Sequence, residues 1–334
     1  MKSVRIIDST LRDGMHAVSH QFSPEDVAAI AAAQNAARID SIEVGHGDGL
    51  GGSSFQYGFA KVPDREYFKA VSSVLTTTKL AVLLIPGIGT HVELEEAAKY
   101  GAKVVRVATH VTEANITAQH IKLAQSLGME AFGFLMMAHM GSPEKIAEQA
   151  KLFEDYGADG VYVTDSAGAL LPHQAAERVR AVKAAVSCKV GFHAHNNLAL
   201  ALGNSLAAFE AGAELIDACL CGLGAAAGNA QTEVLAAVFE RLGVQTGIDL
   251  YKAMDAAEKQ VRPRMHRPIV IDALGLTTGW AGVYGSFMLH AIRAGERYGV
   301  DPRDILEELG RRHTVGGQED LIIDVADELS RAKK

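Results

Sequence analysis

The sequence predicts an α/β chain: a (β/α)8 TIM barrel with a smaller C-terminal helical region. Three observations carry that reading. Eight short apolar or β-branched runs alternate with helical patterns over about 240 residues. Polar residues suited to chemistry collect just past the C-terminal ends of those runs, where a closed barrel places its functional face. Past residue 248 the alternation stops and only helical patterns remain. A doubly wound open sheet is the alternative, but eight regular units at this length favour closure. The division is placed between a catalytic barrel, residues 1–245, and a helical interface region, residues 246–334.

The elements follow in order. Val4 to Ile7 is the first strand, and DSTLRDGMH, residues 8–16, comes directly after it. Ser23-Pro24-Glu25-Asp26 is a helix start, with Ser as N-cap, Pro at the first helical position and acids in the first turn. That helix is expected to run to about Ala37. Ser41 to Val44 is the second strand and leads into Gly45-His46-Gly47-Asp48 and a Gly- and Ser-rich loop over 47–58. Leu80 to Ile85, Lys103 to Ala108, Glu130 to Leu135, Gly160 to Val163, Val190 to His195 and Leu215 to Leu220 are strands three to eight. Helical patterns cover 90–99, 113–127, 143–156, 172–185, 197–212 and 230–242. Arg262-Pro263 and Arg267-Pro268 mark an irregular join in the last region.

Composition narrows the class. With 334 residues, 48% hydrophobic and 22% charged, the chain can bury a large core. A net charge of −8 gives no electrostatic footprint for nucleic acid or for an anionic membrane surface. Cys188, Cys219 and Cys221 make no disulfide framework and no zinc-ribbon spacing, as expected of a reducing compartment. No charged-then-apolar leader and no apolar run of about 18 residues is present, so a cytoplasmic protein is expected.

The residues at the strand ends point to a metal. His193 and His195 stand at i, i+2 on one strand, so their rings project to the same side, about 6.5–7 Å apart at the backbone. Asp13 comes from the first strand, two positions round a closed barrel, and can add a carboxylate across the mouth. Two His and one carboxylate leave coordination positions open for water or substrate. Asn197 is a candidate fourth ligand. Without a thiolate, Mn²⁺, Co²⁺, Mg²⁺ or Fe²⁺ suits the set, and a non-haem iron oxygenase is a further reading of such ligands. Lys79, Lys103 and Lys189 sit at strand beginnings, on the opposite face, so no Schiff-base lysine is in place. Leu83 and Ile85 share a face of the third strand, as barrel core or as an apolar wall for a substrate chain. Gly222-x-Gly224-x-x-x-Gly228 has the wrong spacing for a dinucleotide fingerprint and reads as a tight loop.

These residues carry a resemblance. D-x-T-L-R-D-G after the first strand and H-x-H on the seventh resemble the DRE-TIM metallolyases, among them isopropylmalate and homocitrate synthases and hydroxymethylglutaryl-CoA lyases. Longer runs are similar to the 4-hydroxy-2-oxovalerate aldolase family: TLRDGMHAVSHQ (10–21), SIEVGHGDGLGGSSFQYGF (41–59), LLIPGIG (83–89), RVATHVTEA (106–114), GFLMMAHM (133–140), FHAHNNLALALGNS (192–205), GAAAGNAQTEV (224–234), AGVYGSF (281–287) and VGGQEDLIIDVA (315–326). The likeness covers nearly the whole chain.

The resemblance implies a class II pyruvate aldolase acting on 4-hydroxy-2-oxoacids in the breakdown of aromatic compounds. It implies Mn²⁺, with Co²⁺ or Mg²⁺ as substitutes, on Asp13, His193 and His195. It gives Arg12 the enolate, His16 the role of proton acceptor, and Ser166 and Tyr284 contacts to the substrate. It further implies an acylating acetaldehyde dehydrogenase as partner, receiving the aldehyde through a channel. Met15 stands where relatives often carry Ser, which bears on substrate preference only if its side chain faces the site. Two other readings remain: an acyl-CoA-using Claisen-type synthase or lyase of the same group, and a non-catalytic metal-binding barrel. Arg12, His16 and Tyr284 together favour the aldolase.

Overall fold

The computed structural model describes residues 2–333. Eight parallel strands close into a barrel: β1 (Arg5–Leu11), β2 (Ser41–Val44), β3 (Lys79–Leu84), β4 (Val104–His110), β5 (Glu130–Met136), β6 (Gly160–Asp165), β7 (Lys189–Ala194) and β8 (Leu215–Ala218). β1 pairs with both β2 and β8, which excludes the open sheet. Strand residues alternate between two surroundings. One set meets the helices in the main core. The other, including Ile7, Ala81, Val104, Phe132, Tyr162 and Leu215, fills the barrel interior.

Local chemistry sets the helix starts. Ser23 caps Pro24–Ala36 as expected: its hydroxyl accepts from the Asp26 amide, and the Asp26 carboxylate accepts from the Ser23 amide at 3.0 Å. The segment after β2 differs from the sequence reading, because a helix, Asp64–Ser72, lies between the Gly-rich loop and β3. Its acids sit in the first turn, and Tyr67, Phe68 and Val71 are buried. Near β1 the register shifts between Asp8 and Leu11. Such an irregularity re-aims the chain as it leaves the strand, here just before Arg12 and Asp13.

The C-terminal region is helical, as expected. Leu250–Ala256 and the turns that follow pack on the barrel core through Ala253, Ala256, Ala257 and Val261. The irregular join is a short π segment, Ala257–Val261, followed by a 3-10 turn, Arg262–Arg264. Four helices come after it: Ala273–Ala281, Phe287–Tyr298, Pro302–Arg311 and Asp320–Ala332. They bury a separate cluster that includes Val283, Phe287, Ile305, Leu309 and Val325. Phe287 and Met288 are buried, whereas Leu289 is 53% exposed. The first of these helices lies on the barrel mouth. A Cβ at Gly279 would stand 2.8 Å from that of Asn197, so only glycine permits this approach.

Candidate active site

Asp13, His193 and His195 meet at the C-terminal mouth of the barrel, all three buried, with ligand-type atoms within 4.8 Å of one another. Asp13 Oδ2 lies 3.3 Å from His193 Nε2 and 3.5 Å from His195 Nε2. The other carboxylate oxygen, Oδ1, accepts from the Ala225 amide at 3.2 Å and is fixed by it. His193 Nδ1 donates to Asp217 Oδ2 at 2.8 Å, which turns Nε2 toward Asp13. Asn229 Nδ2 stands 3.1 Å from Asp13 Oδ2 and 3.2 Å from His193 Nε2. Its Oδ1 is buried without a partner. Three converging donors fit a divalent cation.

Electrostatics agrees with that fit at Asp13 and His195, whereas the carboxylates of Asp13 and Asp217 outweigh burial and raise the pKa of His193, so an ion there competes with a proton. Burial alone would raise the Asp13 pKa, but the Arg12 guanidinium and both histidines outweigh it and hold the carboxyl well below its usual value. Burial pushes His195 down to about 4, so its ring is neutral and its lone pair available at neutral pH.

A cavity of about 400 Å³ opens over this cluster. Arg12, Asp13, His16, Leu83, Ile85, Ser166, His193, His195 and Tyr284 all contribute to its wall. Arg12 is held by Glu43 Oε2 at 2.6 Å and by the Gly47 carbonyl at 3.3 Å. His16 sits on the short helix Gly14–Ala17, with its ring against Gly47. His20 lies edge-on to His16 at 5.2 Å and stacks on His46 at 3.7 Å. Burial pushes His20 down to about 2 and His46 to about 4, so neither adds positive charge beside His16 at neutral pH. Ser166 accepts from the Met137 amide at 3.0 Å. Tyr284 reaches the same cavity from the C-terminal helices, and burial raises its hydroxyl pKa.

One expectation needs correction, and the open question over Met15 is answered. Asn197 is not free to be a ligand: its Nδ2 donates to the Ala167 carbonyl at 2.9 Å and its Oδ1 accepts from the Ala227 amide at 3.0 Å. The amide beside the cluster is Asn229 instead. The sequence holds only a weak signal for it, its place at the end of a Gly-rich loop; the antiparallel bridge to His195 appears in the fold. Met15 faces neither solvent nor cavity; it is fully buried in the main core. The interior ion pairs of Arg106 with Glu43 and Asp217 also escaped the sequence reading.

A closed barrel with this mouth defines an enzyme of the HMGL-like class, and residues 3–259 match the HMGL-like family model. Residues 269–331 match the DmpG-like communication domain. Whole-chain relatives are more specific. A 4-hydroxy-2-oxovalerate aldolase of Carboxydothermus hydrogenoformans is 67% identical, over 100% of this chain and 99% of its own length. The aldolase of the same name from Moorella thermoacetica is 59% identical over 99% of this chain and 98% of its own. That from Geobacillus stearothermophilus is 57% identical over 99% and 97%. The chain belongs to the 4-hydroxy-2-oxovalerate aldolase family and is a lyase. Among solved structures, the carboxyl transferase domain of Rhizobium etli pyruvate carboxylase superposes with a TM-score of 0.82 at 18% identity, covering 99% of this chain and 61% of that one. That likeness speaks for the fold alone.

Proposed function

We propose that this chain is a divalent-metal-dependent pyruvate aldolase that cleaves 4-hydroxy-2-oxopentanoate, and close homologues, to pyruvate and a short aldehyde. One observation carries the reading. Arg12, Asp13, His16, His193 and His195 from the barrel and Tyr284 from the helical region share a single cavity. Asp13, His193 and His195 would hold Mn²⁺, with Co²⁺ or Mg²⁺ as substitutes. When bound, the ion acts as a Lewis acid on the carboxylate and 2-oxo oxygens of the substrate.

The remaining work falls to the chain. His16 accepts the proton of the C4 hydroxyl, for which an imidazole is suited near neutral pH. As the C3–C4 bond breaks, its electron pair moves onto the pyruvate half and meets the fixed guanidinium of Arg12, and a proton returned to C3 completes pyruvate. The carbonyl of the leaving aldehyde forms at C4. Leu83 and Ile85 offer an apolar wall to its alkyl chain, and Ser166 and Tyr284 orient the polar end of the substrate. Both sides of the aldol bond are thereby held in one geometry.

The same proposal assigns residues 1–245 to catalysis and 246–334 to an interface with an acylating acetaldehyde dehydrogenase. The match to a communication domain supports it. So do exposed apolar residues on the helical region, among them Val270, Leu276, Trp280 and Leu289. A free short aldehyde is reactive, and a bound dehydrogenase would consume it as it forms. Among the described residues no helix is long and apolar enough to cross a membrane. We place the enzyme in the cytoplasm, in meta-cleavage catabolism of aromatic compounds. The test is pyruvate release from 4-hydroxy-2-oxopentanoate, measured after chelation and after Mn²⁺ is restored. Activity that returns with the metal supports the reading; full turnover in chelator overturns metal dependence.

A further inference from the structure

The barrel interior beneath the cavity is not apolar throughout. Arg106 projects inward from β4 and is fully buried. Its Nε donates to Glu43 Oε1 at 2.7 Å and its Nη2 to Ser9 Oγ at 3.0 Å. It also contacts Glu43 Oε2 and Asp217 Oδ2. Glu43 accepts in turn from Arg12 Nε, and Asp217 accepts from His193 Nδ1 at 2.8 Å. One buried chain of groups therefore runs Arg12–Glu43–Arg106–Asp217–His193. Its ends are the cavity's arginine and the first histidine of the Asp–His–His cluster. Glu43, Arg106 and Asp217 do not line the cavity.

We propose that Asp217 and Arg106 are positioning residues, which fix the His193 ring and tie its placement to that of Arg12. This rests on the metal-site reading above. An imidazole held only by an ion can pivot and can exchange which nitrogen carries hydrogen. A carboxylate on Nδ1 removes both freedoms and aims Nε2 at Asp13 and His195. Asp217 needs a fixed cation of its own, and Arg106 supplies it. The guanidinium is clamped over Phe134 at 4.8 Å and Tyr162 at 5.4 Å. The planar fork of Arg106 then reaches Glu43 as well, so a shift at one end of the site is resisted at the other. Net stability is a weak account of this chain, because an apolar layer often costs less to bury than paired charges do. Orientation of its two ends does.

Metal affinity is the readout that separates positioning from a merely structural role. Asp217→Asn keeps the shape and removes the charge. Metal-free wild type and variant are titrated with Mn²⁺ by calorimetry, with circular dichroism as the folding control. The expected result is a folded variant whose Kd for Mn²⁺ is raised roughly 10–100-fold, the usual effect of losing such an outer partner. If Asp217→Asn does not fold, Arg106→Lys answers the same question, since it keeps a charge and loses the fork. It is expected to weaken Mn²⁺ binding and raise the KM for 4-hydroxy-2-oxopentanoate together. Unchanged Mn²⁺ affinity in the folded variant, even with a lower Tm, overturns the proposal and leaves the metal site standing. A wild-type chain that binds no divalent ion overturns both.

Discussion

Gly47 is packed against the ring of His16 so closely that a Cβ at position 47 would lie 2.5 Å from it. The carbonyl of the same glycine accepts from Arg12 Nη1 at 3.3 Å. One small residue therefore seats two cavity side chains. Gly47→Ala is expected to push the imidazole away while leaving Asp13, His193 and His195 in place. Aldol cleavage should fall by about 10²-fold or more, as for a displaced general base, with Mn²⁺ affinity unchanged. Steady-state kinetics and metal titration on the same preparation check it. Wild-type kcat in this variant would mean that the ring tolerates displacement.

His16→Ala tests the base directly. Cleavage should slow by roughly 10²–10⁴ while metal is retained. Exchange of pyruvate methyl protons should survive better, because that reaction has no C4 hydroxyl to deprotonate. Both rates can be followed by proton NMR. Cleavage at the wild-type rate would place the base elsewhere in the cavity.

The ligand variants Asp13→Ala, His193→Ala and His195→Ala should each lose bound metal and activity together. Each removes one of three strong donors that lie within 4.8 Å of one another. Metal content by elemental analysis, alongside turnover, decides it. Full occupancy and full turnover in any one of them would remove that residue from the site.

The fold was legible in the sequence because each strand is a short apolar run closed off by polar or glycine-rich residues. The helix Asp64–Ser72 was not, because the long Gly- and Ser-rich loop before it hides its start. Asp13, His193 and His195 were legible because two strand ends and an H-x-H spacing are local patterns. Asn197 suggests itself as a fourth ligand for the same reason, being near His195 in the chain. The backbone turns after His195, and hydrogen bonds to Ala167 and Ala227 direct the Asn197 amide away. Arg106 lies in a valine-rich strand, and its partners Glu43 and Asp217 are 63 and 111 residues away. No local periodicity encodes a pairing at that distance; closure of the barrel creates it.

His139 links barrel to helical region, with Nε2 donating to the Gly282 carbonyl at 3.0 Å. Burial pushes its pKa down from 6.5 to about 4. The unfolded chain therefore takes a proton near pH 6.5 that the folded chain refuses until about pH 4. This group's contribution to stability is fully present above pH 6.5 and is lost as pH falls toward 4. Asp8, Asp64 and Asp165, raised by burial to about 6, act in the opposite sense between about pH 6 and their unfolded value of 3.8. Comparison with His139→Gln cancels those carboxyls, since both proteins carry them. The variant keeps an amide donor for Gly282 and should lose less stability than wild type between pH 7 and pH 5. Urea denaturation at the two values measures the difference, and parallel losses would show that His139 titrates normally.

The last prediction concerns the dehydrogenase. Leu276 and Trp280 stand at i, i+4 on the helix Ala273–Ala281 and are 50% and 66% exposed. Gly279 of that helix presses on the barrel mouth, so the barrel side is already occupied. Large apolar side chains paired on an exposed helix face have no role in this chain's own core. Aromatic residues are enriched where interfaces bury their centres, and truncating such an anchor commonly costs about 2 kcal/mol or more of binding. Leu276→Ser with Trp280→Ser should therefore abolish co-purification with the co-expressed acylating dehydrogenase. Metal content and the cleavage rate of the separated aldolase should stay as in wild type, because neither residue lines the cavity. Size-exclusion chromatography of the co-expressed pair reads the first, and pyruvate release reads the second. A complex that survives both substitutions would move the interface to another face of the helical region.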